Sequence, residues 1–429
     1  MEIKRDIYLT RLRNRRKNGM IKVITGIRRC GKSYLLNTIF YNDLISTGIS
    51  PDHIIRFAFD SADDLRKIRE SPARKPGQKV NADRFMDYID SLIPDGDDCY
   101  LLLDEVQLLE CFESVLNGYL RRSNLDIYVT GSNSKFLSSD IITEFAGRGD
   151  EIHMLPLSFS EFFSVYSGTK EESFDDYSVY GGLPAVALMA AEEQKSSYLN
   201  TQIKNVYLRD VIARNRLTDD GDIEELTEIL ASGISTLINP NKLSNTFRTV
   251  KRSGISPSTV SRYIRCLEDA FIVSTAQRYD VKGKRYISTP YKVYFEDIGL
   301  RNALLNFRQI EPSHIMENII YNELRYRGYN VDVGSVEARE RDTDNREVKK
   351  LLEIDFIANQ GSKRYYLQSA YDIPDSAKYV QETNSYSHVK DSFKKILIIG
   401  QSMKPRHDEN GYLTLGIREF LLDPDSLEA

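Results

Sequence analysis

Eight residues, Gly26-Ile27-Arg28-Arg29-Cys30-Gly31-Lys32-Ser33, have the spacing GxxxxGK[ST] of a phosphate-binding loop. Each part has a physical purpose. The glycines let backbone wrap a phosphate with no Cβ in the way. Amides at a helix N-terminus favour the negative charge. Lys32 can reach β- and γ-phosphates, and Ser33 can ligate Mg2+. The side chains within and just after the loop, Arg28, Arg29, Cys30 and Tyr34, complete the expected nucleotide contact set. Further on, Tyr100-Leu101-Leu102-Leu103-Asp104-Glu105 carries two carboxylates to the end of an apolar run. Asp104 would hold the metal, and Glu105 would be the base or orienter for an attacking water. Thr130-Gly131-Ser132-Asn133 ends the next apolar run, where a polar side chain can touch the γ-phosphate or the water. Asn133 is the first choice for that role and Ser132 the second.

These groups need a parallel sheet to converge. Ile21–Thr25, Ile54–Phe59, Tyr100–Leu103, Leu125–Thr130 and Ile152–Leu155 read as five short strands, and helices alternate with them. Residues 7–18 read as a basic amphipathic helix and 34–46 as another. Residues 61–85, polar and broken by Pro72 and Pro76, read as a surface insertion. The alternation implies a doubly wound α/β domain over about the first 155–165 residues, with ligands at the C-terminal ends of the strands. Beyond it the pattern turns helical, interrupted by Gly181-Gly182-Leu183-Pro184. The expected organisation is a P-loop core over 1–165, a helical lid over 166–220, a winged-helix segment over 221–290 and an α/β domain over 291–429.

The middle segment is basic. Residues 241–310 hold thirteen Lys and Arg against five Asp and Glu, whereas the whole chain of 429 residues carries a net charge of −5. Helix, turn, helix and strand follow one another here, the order of a winged helix-turn-helix. Ser256 is a suitable N-cap with Pro257 at the first helical position. Val260, Ile264 and Leu267 share one face. The opposite face presents Ser258, Thr259, Ser261, Arg262 and Arg265, side chains suited to phosphates and base edges in a major groove. Lys251 and Arg252 precede the turn, and Lys282, Lys284 and Arg285 follow where a wing would lie. DNA is the expected partner of this face, and a protein partner is the alternative.

In the last part, Met316-Glu317-Asn318 reads as the start of a helix. Leu352–Ile357 and Tyr365–Ala370 read as strands, and the charged run 337–350 as a loop between strands. A helical acid, then an Asp, then a strand with [E/Q]xK resembles the layout of PD-(D/E)XK nucleases, whose carboxylates hold a metal and whose lysine positions water. The matching positions are Glu317, Asp355, Gln368 and Ala370. Glutamine is a poorer metal ligand than a carboxylate, and Ala370 cannot replace the lysine, so a nuclease-like fold without cleavage is expected.

Taken together, the Gly26–Ser33 loop, the Asp104-Glu105 pair and Thr130–Asn133 resemble an AAA+-type ATPase domain. Arg28-Arg29, Gly147-Arg148 and Leu155-Pro156-Leu157-Ser158-Phe159-Ser160-Glu161-Phe162 narrow the resemblance to a widespread prokaryotic ATPase family, whose C-terminal half was long catalogued only as a domain of unknown function. The resemblance implies ATP and Mg2+ as ligands. It also implies Arg148 as an arginine finger completing a neighbour's site, and so a homo-oligomer such as a hexamer. Arg209 is the downstream candidate for a second sensor. The implied activity is ATP hydrolysis coupled to DNA binding or remodelling. The alternatives are a slow nucleotide-gated switch that recruits a protein partner and, third, an ATP-dependent nuclease.

Composition narrows the classes further. With 41% hydrophobic and 28% charged residues the chain is globular. Four scattered cysteines form no CxxC pair, and five histidines show no HExxH. A disulfide scaffold and a zinc site of either type are not expected. The N-terminal residues show no apolar signal segment. The longest apolar stretch, Ala185–Ala191, falls far short of the roughly 20 residues that span a bilayer. A soluble cytoplasmic protein with reduced thiols is the expectation.

Overall fold

The computed structural model describes residues 3–73, 78–94, 96–131, 145, 147–215, 217, 220–251, 255–341 and 347–429. The chain divides into two compact units, Met1–Met154 and Leu155–Ala429.

The first unit is built on a five-stranded parallel sheet. Its strands are β1 (Ile21–Thr25), β2 (Ile54–Ala58), β3 (Cys99–Asp104), β4 (Leu125–Thr130) and β5 (Gly149–His153), in the spatial order β2-β3-β4-β1-β5. Every residue of β1, β3 and β4 is buried, as a parallel sheet covered on both faces requires. The five expected strands are therefore present; four match within a residue at their ends, and the last, expected at Ile152–Leu155, begins three residues earlier and ends two earlier. The basic N-terminal helix is shorter than the pattern suggested, covering Asp6–Arg13.

Residues 61–85, expected as a polar surface insertion, carry regular elements in their described part. They contain the helix Ala62–Lys67 and the start of Ala82–Asp90. Ser61 and Asn81 each accept a backbone N–H three residues on, from Asp64 and Arg84, and so cap these helices. Leu65, Phe85 and Ile89 then enter the core beside Phe57 and Phe59. The polar composition concealed two short helices that each bury only a narrow stripe.

The second unit opens with helices Phe159–Phe163, Lys170–Tyr180, Pro184–Ala187, Glu192–Thr201 and Arg209–Asn215. Next come the helix Asp220–Ser232, the two-residue strand β6 (Leu237–Ile238), helices Pro240–Lys251 and Pro257–Asp269, and the hairpin of β7 (Val273–Asp280) and β8 (Arg285–Phe295). After helices Ile298–Leu304 and Pro312–Tyr326 come β9 (Asn330–Arg341), β10 (Glu347–Gln360), β11 (Lys363–Ala370), helix Ser376–Ser387, β12 (Lys394–Ile399), β13 (Arg406–His407), β14 (Leu413–Gly416) and helix Ile417–Leu422. β6 to β14 form one mixed sheet in the order β13-β14-β12-β11-β10-β9-β7-β8-β6.

That continuity has consequences for organisation. The expected edge at 290/291 falls within β8, because β7 pairs with β8 on one side and with β9 on the other. The expected edges at 165/166 and 220/221 also lie inside the second unit. Within this unit, Asp297 accepts the Gly182 N–H at 2.8 Å, and Asn302 donates to the carbonyls of Ser178 and Val179. Arg301 donates to Ala231 O at 2.7 Å. The Gly181-Gly182 pair is required here. A Cβ on Gly182 would lie 2.3 Å from Leu157 O, and one on Gly181 2.4 Å from the Asp297 carboxylate. Within the charged run expected as a loop, residues 337–341 and 347–350 are strand: β9 and β10 pair register by register from Glu337↔Leu351 to Arg341↔Glu347, and residues 342–346 lie outside the described residues.

Candidate functional site

β1 runs directly into the phosphate-binding loop. Gly26 has φ 132°, Arg29 φ 66° and Gly31 φ 106°, so the turn uses the left-handed region three times within six residues. Gly26 is fixed by space as well. A Cβ there would lie 2.1 Å from Met154 O. Met154 N donates to Thr25 O at 2.9 Å, so the loop's first glycine rests on the backbone at the end of the first unit. After Gly31 the chain enters a helix of three segments, Lys32–Tyr34, a π-helical Leu35–Phe40, and Tyr41–Ser46.

Lys32 is 5% exposed, and its Nζ donates to the carbonyls of Gly26 at 2.8 Å and Ile27 at 3.0 Å. Ser33 donates through Oγ to Asp104 Oδ1 at 3.0 Å. Asn37 Nδ2 donates to Asp104 Oδ2 at 3.3 Å, and the Thr130 hydroxyl donates to Asp104 Oδ1. Burial pushes the Asp104 carboxyl up from its ordinary range, and the Thr130 and Ser33 hydroxyls oppose that rise. A buried carboxylate ringed by neutral donors is a demanding place for a negative charge and a suitable one for a cation.

Glu105 has φ 55° and ψ 45°, a left-handed conformation that costs a non-glycine residue of order 1 kcal/mol and gathers at functional sites. Its N–H donates to Thr130 Oγ1 at 3.1 Å, and its Oε2 accepts from the Gln107 amide. Of the residues read from the sequence, Ser33 and Asp104 meet directly and Glu105 follows Asp104, while Lys32 rests on the loop carbonyls; three supports, Asn37, Gln107 and Thr130, were passed over. Only Thr130 carried a signal, as the strand-end residue of the Thr130–Asn133 run. Ser132 and Asn133 lie outside the described residues.

Arg28 and Arg29 are exposed, Cys30 is buried, and Tyr34 is 44% exposed. Exposed Arg148 follows Gly147 (φ 76°) and precedes β5. Its carbonyl accepts the Ile21 N–H at 2.8 Å. Arg148 therefore lies by the start of β1, whereas the loop follows the end of β1. The five-residue strand separates the two by about 17 Å along the sheet.

In the second unit, Ser256 caps the helix Pro257–Asp269 by accepting the Thr259 N–H at 3.1 Å. Val260, Ile264 and Leu267 are buried, as their spacing requires. Ser258, Arg262 and Arg265 are exposed, and Thr259 is half-buried. The Ser258 and Thr259 hydroxyls lie 2.7 and 2.8 Å from Ser256 Oγ. Lys282, Lys284 and Arg285 are exposed at the turn between β7 and β8. Lys251 ends the preceding helix, and Arg252 lies outside the described residues. Lys292 and Arg301 of this segment are interior, and so are Glu296 and Asp297, so among the described residues burial removes as many acidic as basic side chains from its surface. Exposed Arg209 begins a helix of the second unit.

The nuclease-like positions also converge, around a residue that sequence reading missed. Glu317 lies in the second turn of its helix, which starts at Pro312 rather than at Met316. Lys292 Nζ sits 2.9 Å from Glu317, 2.7 Å from Glu353 and 3.4 Å from Asp355. Tyr294 donates to Glu317 at 2.8 Å, and Ser369 N–H donates to Asp355 at 2.8 Å. Gln368 Oε1 accepts Asp355 N–H at 3.4 Å, and Ala370 is buried. Burial raises the Glu317 carboxyl to about 7, with Lys292 opposing the rise. Burial acts to lower the Lys292 ammonium, but the surrounding carboxylates outweigh it and raise it overall. Among the described residues no group of three or more His, Cys, Asp or Glu is arranged to hold a metal ion.

Comparison with known proteins agrees with this geometry. Residues 18–163 match a family model described as an AAA domain, and residues 171–311 match a domain of unknown function. An uncharacterized protein of Haemophilus influenzae is 34% identical over 93% of this chain and 94% of its own length. An uncharacterized protein of Methanocaldococcus jannaschii is 27% identical over 88% of this chain and 79% of its own. Among solved structures, the chain is similar to the ADP form of the Aeropyrum pernix ORC2 protein, at 12% identity and TM-score 0.34, covering 74% of this chain and 95% of that one. It is also similar to AMPPCP-bound DnaA from Aquifex aeolicus, at 14% identity and TM-score 0.29, covering 61% of this chain and 86% of that one. Structural likeness at that level carries no argument about this chain. The two family matches and the full-length relative place it: the chain belongs to the AAA+-type P-loop ATPase family, in a group that joins an AAA domain to a domain of unknown function.

Proposed function

We propose that the chain is a Mg2+-dependent ATPase whose turnover is coupled to DNA held by its winged-helix segment. One observation carries the ATPase reading. Asp104 is buried, accepts from Ser33, Asn37 and Thr130, and stands beside the strained Glu105 at the end of a strand next to the loop's own. That donor set fits a magnesium ion, with Ser33 and Asp104 as its protein ligands. When bound, the ion neutralises charge on the β- and γ-phosphate oxygens.

The chain's own residues supply the rest. Gly26, Arg28, Arg29, Cys30, Gly31 and Tyr34 would line the nucleotide. Lys32 is held by two neutral carbonyls, and a phosphate oxygen is a stronger acceptor for an ammonium than a carbonyl. The lysine thus has reason to leave its present partners when a nucleotide arrives. Glu105 would take or orient the proton of the attacking water, with the Gln107 amide holding its far oxygen. Asn133 would sense the γ-phosphate. Arg148, at the opposite end of β1 from its own loop, would serve a neighbouring copy, which makes a homo-oligomer part of the proposal.

The DNA face would consist of Lys251, Arg252, Ser258, Thr259, Arg262, Arg265, Lys284 and Arg285. Support comes from the helix order, the β7–β8 hairpin and the exposure of Arg262, Arg265, Lys284 and Arg285. The test is ATP turnover with and without duplex DNA. Stimulation that disappears in Arg262→Ala/Arg265→Ala, with basal turnover retained, is the expected result. Turnover indifferent to DNA would remove the coupling and favour a nucleotide-gated switch that recruits a protein. No helix among the described residues is long and apolar enough to cross a membrane.

A further inference from the structure

Lys292 lies on β8 with its side chain 3% exposed. Glu317 reaches it from a helix, and Glu353 and Asp355 reach it from one face of β10. An ammonium has three N–H donors and no acceptor. Here three carboxylates each aim one oxygen at it, so donors and acceptors match in number. Other lone pairs are covered by Tyr294 OH and by Ser369 N–H. Glu353 is the most exposed of the three acids, with 35% of its side chain accessible. The nitrogen–oxygen distances of 2.7–3.4 Å are those of an ammonium ion pair. They are wider than the ~2.0–2.6 Å of magnesium or calcium coordination.

The nuclease-like layout implies a divalent metal at Glu317 and Asp355, and the residues present do not fit one. We propose that the Lys292 ammonium is the built-in cation of this cage, standing where a divalent ion would bind between Glu317, Glu353 and Asp355. On this reading the C-terminal sheet takes no metal and cuts no strand. The cation does a mechanical job instead: it ties β8, one strand of the proposed wing, to β10 and to the helix Pro312–Tyr326. This inference is independent of the ATPase reading, because every residue in it lies in the second unit.

The test is Mn2+ titration of the full chain without nucleotide, read by electron paramagnetic resonance, alongside thermal melts. The wild type should show no saturable site that Asp355→Asn removes, and Mn2+ should leave its Tm unchanged. Lys292→Met should gain one saturable site per chain, lost again in Lys292→Met/Asp355→Asn, and Mn2+ should raise its Tm by several degrees. If Lys292→Met does not fold alone, folding restored by Mn2+ supports the proposal. Lys292→Met/Glu317→Gln, with one fewer carboxylate to neutralise, gives a second route to the same readout. A wild-type site removed by Asp355→Asn would overturn the proposal. So would metal-dependent nicking lost in Asp355→Ala, or a lysine variant that gains no site and is not rescued by Mn2+.

Discussion

Two buried lysines invite comparison, because each sits beside acidic residues on a sheet and the two are held in opposite ways. Lys32 rests on the carbonyls of Gly26 and Ile27, while the nearby Asp104 is served by hydroxyls and an amide. Among the described residues its ammonium forms no ion pair with a carboxylate, and its charge remains available to an anion. Lys292 is committed to three carboxylates at once. Breaking a buried ion pair by removing one partner costs about 3–5 kcal/mol, because the other charge stays buried. Exchanging a carbonyl for a phosphate oxygen costs no such penalty. The comparison teaches how to separate a lysine that acts from one that holds: the identity of the acceptors decides, and burial alone does not.

The largest expected effect follows directly. Lys32→Ala should abolish nucleotide binding and turnover, read by a fluorescent-nucleotide titration and phosphate release, while its melting temperature stays near wild type. Lys292→Met should do the reverse, leaving ATP turnover within about twofold and lowering stability by ~3–5 kcal/mol in a denaturant titration. If both variants lose turnover alike, the contrast between the two lysines fails. Glu105→Gln comes next. It should keep nucleotide binding while turnover falls about 100–10,000-fold, the usual worth of a general base. Normal turnover would remove Glu105 from that role.

Gly26→Ala tests whether the loop depends on its close approach to the Met154 carbonyl just after β5. The added methyl meets Met154 O at 2.1 Å on a residue at φ 132°, so nucleotide binding should weaken sharply. Gly19→Ala also falls at positive φ but meets nothing within 4 Å, and it should cost about 1–2 kcal/mol of stability and no binding. The smallest effect is in pH dependence. Glu317 has its folded pKa raised by burial to about 7 from the ordinary glutamate value of about 4.5. Its contribution to stability is present below the lower value and is lost as pH rises through the higher one. Between those values the folded state binds more protons than the unfolded state, so stability should fall with rising pH. Glu317→Gln should flatten that segment of a Tm-against-pH curve. An unchanged slope would mean that Glu317 is not the group titrating there.

The same contrast explains how much was legible in the sequence. The loop, its strand and the Asp104-Glu105 pair are local patterns, since each side chain's role follows from neighbours within a few positions. The Ser256 cap and the Val260, Ile264 and Leu267 face were legible for the same reason. The three-residue start of the loop helix gave way to a π-helical stretch at Leu35–Phe40 that no periodicity announced. The cage around Lys292 draws on residues 25 to 63 positions away, and nothing in the sequence beside Lys292 marks it. Thr130 was read only as the end of its strand, but its hydroxyl bridges Asp104 and the Glu105 backbone across two strands. The helices of 61–85 were missed because Leu65, Phe85 and Ile89 supply too few apolar positions to stand out until the sheet is there to receive them.

The most direct test of the central claim is ATP hydrolysis in Mg2+ by the wild type and Lys32→Ala, side by side. The account predicts steady phosphate release by the wild type and none above background from the variant. Equal release from the two proteins, or none from a folded wild type that binds no nucleotide, would contradict it.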